Sequence, residues 1–341
     1  MALDSRKKRI LEAVIEQFID TGSPVGSKYV ASAMDNAVSS ATIRNDMAAL
    51  EAAGFLEQPH TSSGRVPTHM GYRAYIDDVM RTIPLTMSER AEIDALFNIR
   101  NADPDQLLQD AAEALSQLTG LATIATTMIH STVTVKKIEI VPAGSRTVVI
   151  LMIASTGVIK SKVCRVDFNV TEQIVEFFMN FAQSQLVGKS IDEITGSYLK
   201  SVSVSLGDYS RLFMPVFAAL YDLAREIDEG QYFARGMTNL LEHSELARGA
   251  YELFSFIDSR REMREIITAS DMPVQIMIGR ESCAGALEES SVLIARYAIG
   301  KKAMGAIGII GPTRMDYARL LPQVEYFAST LGKLLSETYT E

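Results

Sequence analysis

The sequence predicts an α+β, multidomain protein that opens with a winged helix-turn-helix. Three observations predict it. Residues 23–75 read as two short helices around a tight turn, followed by a hairpin with a polar, glycine-containing tip. From Lys136 the apolar spacing changes from a helical to a strand-like period. At 341 residues, with 47% hydrophobic and 22% charged residues, the chain can bury two or three cores.

Taken in order, Asp4 to Gly22 places Ile10, Leu11, Val14, Ile15 and Phe18 on one helical face. Gly22 suits a helix end, and Ser23-Pro24 prevents continuation. Ser27 is the expected cap of a second helix, about 28–33, which buries Tyr29 and Val30. Asp35-Asn36-Ala37-Val38 makes the turn, and Ser39 or Ser40 caps a third helix that runs to about Ala53. Ile43, Met47 and Leu50 point inward on that helix. Ala41, Arg44, Asn45, Ala48 and Ala52 lie on or beside its outer face. Small residues there permit close approach. Arg suits guanine O6/N7 or a phosphate, and Asn suits adenine N6/N7. Leu56-Glu57-Gln58 and Arg65-Val66-Pro67 then pair around a tip of His60-Thr61-Ser62-Ser63-Gly64-Arg65, whose short donors and cation fit a DNA backbone or minor groove.

A helix follows from Gly71 to about Arg81, ended by Pro84. Thr86-Met87-Ser88-Glu89 resembles a capping box, and Asp103-Pro104 starts a further helix. Residues 86–135 therefore read as a helical linker and the start of the body. Strand-like runs at 137–141, 147–153 and 158–166 are separated by Ala143-Gly144-Ser145 and Ser155-Thr156-Gly157, which suit hairpin turns. More strands are expected at 273–278, 292–297 and 303–310. A last helix from Tyr317 to about Ser336 buries Leu320, Leu321, Val324, Phe327, Leu331 and Leu334.

Signals of catalysis are weak. Gly305-Ala-Ile-Gly308-Ile-Ile-Gly311 has the wrong spacing for a dinucleotide fingerprint and lies on a strand. Gly188-Lys189-Ser190 resembles the tail of a phosphate loop, but Gln183 stands where its first glycine belongs. The four histidines (60, 69, 130 and 243) show no metal spacing. No catalytic, cofactor or metal residue is assigned. The polar block Gly311 to Tyr317 reads as a helix start, with Arg314 and Asp316 paired locally, or else as a ligand or partner contact.

Net charge is −9, which at first sight disfavours nucleic acid. Residues 1–85 hold 9 Lys/Arg against 10 Asp/Glu, leaving 24 against 32 for the rest. Binding must then rest on local cations: Arg6-Lys7-Lys8-Arg9, Lys28, Arg44, Arg65 and Arg73. The acidic remainder repels non-specific DNA. Cys164 and Cys283 suit a reducing cytoplasm as buried thiols. No secretory signal or membrane span is expected.

GSPVGSKYVASAM, VSSATIRNDMAALEAAGFLEQPHTSSGRVPTHMGYRAYID and, far downstream, GAIGIIGPTRMDYARLLP resemble the HrcA family of heat-inducible transcription repressors. The resemblance implies a cytoplasmic homodimer that binds double-stranded DNA at an inverted-repeat operator of chaperone operons. It also implies dependence on the GroEL chaperonin, and a GAF-like domain (136–167 plus 269–341) split by an inserted dimerisation domain (168–268) behind a DNA-binding domain at 1–85. In that setting Ser40, Thr42, Arg44 and Asn45 read DNA or position the recognition helix, and His60, Ser63 and Arg65 serve the wing. A ligand-gated regulator, with a small molecule in the sheet domain, is the alternative class. Gly279-Arg280-Glu281-Ser282-Cys283 departs from the commoner family pattern, so the sequence assigns that loop no role.

Overall fold

The first helix, α1 (Ser5–Thr21), begins where Asp4 accepts the Lys7 amide and stops at Gly22, whose left-handed backbone (φ 62°) suits glycine. It opens a computed structural model that describes residues 3–35, 38–60, 63–97, 103–129, 133–300 and 303–339. Asn36 and Ala37 of the expected turn, Thr61 and Ser62 of the wing tip, and His130 lie outside the described residues. In α2 (Ser27–Ala33) Gly26 takes the cap position, so Ser27 is the first helical residue and not its cap. Tyr29, expected to be buried there, is exposed. Ser39 caps α3 (Ser40–Ala52). The wing is β1 (Leu56–Glu57) paired antiparallel with β2 (Val66–Pro67), and Val25 joins it by exchanging backbone bonds with Arg65. Thr68 caps α4 (His69–Asp78). α5 (Met87–Leu96) carries the expected capping box of Thr86 and Glu89, and α6 (Pro104–Thr119) starts at Asp103 with proline in its first turn.

The next segment departs from the expected division. A strand, β3 (Ala122–Ile129), lies inside the stretch read as linker. β4 (Val135–Gly144), β5 (Thr147–Ala154) and β6 (Ile159–Arg165) pair only with one another, as a three-stranded antiparallel sheet. They do not join residues 269–341. Instead Ile138, Ile150 and Met152 pack with α7 (Glu172–Gln185), α8 (Gly196–Val204) and α9 (Met214–Asp228) around Phe178, Phe217, Leu220 and Leu223. The physical reason is the sheet's alternation: its one buried face is filled by these helices. The chain then returns at β7 (Tyr232–Arg235), which pairs back onto β3. An insert at 133–228 thus leaves and re-enters at neighbouring strands.

Beyond it come α10 (Ala250–Asp258), α11 (Arg260–Thr268), β8 (Val274–Ile278), β9 (Ser290–Ile299), β10 (Ala303–Pro312) and α12 (Tyr317–Tyr339). The central sheet is antiparallel in the order β7-β3-β10-β9-β8. Both faces are covered. Ala306 and Ile310 meet Leu253, Ile257, Met263 and Ile267 from α10 and α11. Ile307 and Ile309 meet α6 and α12 through Leu108, Leu115, Val324 and Phe327, in a core that continues without a break into the head through Tyr72, Leu11 and Ile15. The glycine run of 305–311 is part of β10, between neighbouring strands. Cys164 is buried, whereas Cys283, expected to be buried, is exposed.

Candidate nucleic-acid interface

The recognition helix is held from behind so that its front is left bare. Ile43, Met47 and Leu50 are buried in the head core. Asp46, on the same helix, is only 9% exposed and accepts two bonds from Arg6 of α1, from Nε at 2.9 Å and from a terminal nitrogen at 3.1 Å. An acid on a DNA-reading helix would repel phosphate if it faced outward. Here it faces inward and braces α3 against α1 through a two-point guanidinium pair. A lone acid among Arg44, Asn45 and Ala48 was the signal in the sequence for such a brace.

On the front, Ser40, Ala41, Arg44, Asn45 and Ala48 are exposed. Ser40 and Arg44 are four residues apart, as are Ala41 and Asn45, so all four sit on adjacent rows over the first turns. Thr42 has a different job. Its amide donates to Ser39 Oγ at 3.2 Å, and its hydroxyl lies 3.0 Å from the same atom, so it closes the helix N-terminus. Free amides at that end favour a phosphate.

The wing residues divide in the same way. His60 is exposed at the tip. Ser63 Oγ donates to the His60 carbonyl at 2.7 Å and accepts from the His60 amide at 3.0 Å, while Gln58 Nε2 donates to the Ser63 carbonyl, so Ser63 shapes the tip. Gly64 lies against the Val25 backbone, where a Cβ would come within 2.4 Å of the Val25 carbonyl. Arg65 turns back onto Glu51 of α3, with Nε 2.9 Å from Oε2. It ties the wing to the recognition helix.

The other expected cations are mostly engaged as well. Lys7 pairs with Asp4, Lys8 with Asp78, and Arg73 with Asp77 and Glu281. Among the described residues of the head, Arg9, Lys28, Arg44 and Arg81 have no carboxylate partner. The head is thus near neutral overall, with its unpaired charge concentrated at a few positions, one of them in the middle of the exposed α3 face.

A long first helix, a short second, a braced third helix with a bare polar face, and a wing pinned to it define a winged-helix DNA-binding protein. Residues 2–79 match the family described as "Winged helix-turn-helix transcription repressor, HrcA DNA-binding", and residues 105–321 match "HrcA protein C terminal domain". The chain belongs to the HrcA family of heat-inducible transcription repressors. Relatives bearing that name include those of Acetivibrio thermocellus (32% identical; 97% of this chain and 96% of the relative), Thermoanaerobacter pseudethanolicus (32%; 100% and 99%) and Halalkalibacterium halodurans (32%; 99% and 99%). A crystal structure described as that of a hypothetical protein shares the fold, with a TM-score of 0.67 at 21% identity over 99% of this chain and all of that one.

Proposed function

We propose that this chain represses chaperone operons as a cytoplasmic homodimer, with each recognition helix reading one half of an inverted repeat. The observation that carries the reading is the exposed face of Ser40, Arg44 and Asn45, with His60 exposed on the wing, in a head whose other cations are largely paired away. Arg44 is the intended base or phosphate contact and Asn45 the adenine contact, with Ser40 and Thr42 at the phosphate-facing helix end. Ser63 and Arg65 act on DNA through the shape of the wing.

The unit at 133–228 serves as the dimerising insert. Its sheet presents Val141, Ile159 and Val163 to solvent, and its helical side presents Phe177, Val204, Tyr209 and Met214. These exposed apolar side chains, on the sheet and on the helical side, support an association surface on the insert. A two-fold pair of heads then matches a two-fold operator. No helix among the described residues is long and apolar enough to cross a membrane. Heat depletes the native dimer because folding stability is small, about 5–15 kcal/mol. A GroEL-type chaperonin that restores native chains then sets how much repressor is active.

Arg44→Ala tests the reading. With a bidentate base contact, operator affinity should fall by about 1–3 kcal/mol. With a phosphate contact alone, all sequences should weaken alike, and the salt slope should shrink by about one. Unchanged operator binding by a folded, dimeric Arg44→Ala protein would remove this face from the interface.

A further inference from the structure

We infer that Arg73, paired with Glu281, and Arg314, held by Glu245 and bonded to the Ile19 carbonyl, are positioning residues that set the angle of the winged-helix head on the body, and so the half-site spacing the dimer accepts. This rests on the dimeric, inverted-repeat reading above.

The seam between head and body is dry on one side and open on the other. On the dry side Tyr72 of α4 meets Tyr317 of α12 edge-on, with ring centroids 6.1 Å apart, and the Ile83 amide donates to the Ala318 carbonyl. Beside them a cleft of about 1480 Å³ separates Thr68 and His69 of the head from Glu245 and Arg280 of the body. Apolar packing along one side alone leaves the head free to rock toward the open side. Arg314 lines that cleft, and the Arg73–Glu281 pair sits next to Tyr72 and Arg280 of its lining; the two arginines remove this freedom.

Arg73 projects from α4. Its Nε donates to Glu281 Oε1 at 2.9 Å, and one terminal nitrogen reaches both Glu281 Oε2 and the Ile276 carbonyl of β8. A planar fork meeting a carboxylate and a fixed strand carbonyl permits one orientation. Glu281 is itself held by the Ile278 amide at 2.9 Å. The turn before it is shaped to the head: Gly279 has φ 52°, and a Cβ there would lie 2.3 Å from the His69 ring. This gives the 279–283 loop the role that its sequence did not disclose.

Arg314 makes the second point. It was expected to pair with Asp316, but its Nε donates to Glu245 and another nitrogen reaches the Ile19 carbonyl, in the last turn of α1 beside Gly22. A cation at a helix C-terminus is favourable there. The head is therefore tied through α4 at one point and through α1 at the other. One tie would act as a hinge, whereas two on different helices fix an angle. None of the four residues lies on the exposed face of α3 or in the wing, so losing the ties should spare base reading. Operator spacing reports the angle sharply, because each added base pair turns a half-site by about 34° and moves it about 3.4 Å.

The test uses the full-length protein and operators whose half-sites are separated by the native spacing, or by one or two base pairs more or fewer. The wild-type chain is measured first. If it is not dimeric, or does not prefer the inverted repeat to a half-site, the functional reading itself falls. Glu245→Gln/Glu281→Gln keeps shape and removes both charges. Expected are a dimer by sedimentation, half-site affinity within about twofold of wild type, native-operator affinity lowered about tenfold or more, and a flattened spacing preference. A dimeric double variant that keeps the wild-type spacing preference overturns the inference. The exchange Arg73→Glu/Glu281→Arg separates geometry from folding, because it should restore much of the preference lost in Arg73→Glu alone. No recovery in a folded exchange variant overturns it equally.

Discussion

The winged-helix head and the insert at 133–228 are both appended to the central sheet, but they are joined to it in opposite ways. The head shares its core with α6 and α12, from Ile10 and Tyr72 through to Phe327 and Leu331. The insert closes a core of its own, from Val133 to Ile227, and hangs from adjacent strands. A shared core makes the head melt with the body. A closed core lets the insert open, associate or vary with little effect on the sheet.

The largest expected effects test that contrast directly. Tyr317→Ala and Phe178→Ala each remove a fully buried ring and should cost about 3–5 kcal/mol. Tyr317→Ala should lower the melting of head and body together. Phe178→Ala should give an early transition confined to the insert, with the dimer weakened and half-site binding kept. If the head kept its wild-type melting temperature in Tyr317→Ala, the two regions would not differ as described.

Gly64→Ala asks how far strain spreads within the head. The added methyl meets the Val25 backbone, and such overpacking costs about 1–3 kcal/mol. Operator binding should fall further than stability does, since the wing must lift while the insert is untouched. Equal operator binding would show that the wing is dispensable. Ser39→Ala removes the α3 cap and should cost about 1 kcal/mol in chemical denaturation. Dimerisation should not change, and a change would mean that the insert senses the head.

Acid gives the smallest effect and the most local one. Burial alone would raise Glu281, but its bonds to Arg73 and the Ile278 amide outweigh that and hold it below the ordinary 4.5. Glu245 is likewise lowered against its burial, by its backbone amide and by Arg314. Depressed carboxylates stabilise fully above their unfolded value, and that contribution fades as pH falls through the lower folded value. Head docking should therefore weaken only below about pH 4.5, while the insert's core is built of apolar side chains. Amide exchange at α4 and at α7 across that range measures the difference.

The same contrast explains what could be read from the sequence. The head was legible almost residue by residue, because caps, turns and helical spacing are local signals, and α1, α3 and the wing fall where these signals place them. The inward stripe of Ile43, Met47 and Leu50 follows from period alone. Sheet membership was not legible. β4–β6 and β8–β10 have the same strand character, and only long-range pairing decides that the first three form a separate sheet. β3 was hidden because its residues 122–127 are buried on both faces, as befits an inner strand, and Thr123, Thr126 and Thr127 fall on both faces, so there is no polar–apolar alternation to detect. At the interface, exposure of Arg44 and Asn45 was predictable, but the turning of Arg65 onto Glu51 was not, since side-chain direction at a wing depends on what packs behind it.

One consequence of α12 concerns synthesis. Tyr317, Val324 and Phe327 complete the core on which the head rests, yet the ribosome makes the recognition helix long before it makes them. A nascent or prematurely terminated chain carries the whole DNA-reading helix without the surface that orients it. A stop codon between the wing and Tyr317 should behave as a null allele, with the repressed genes fully expressed although the whole winged helix is still encoded. Competence to silence a gene is thus gained only once translation has passed through α12.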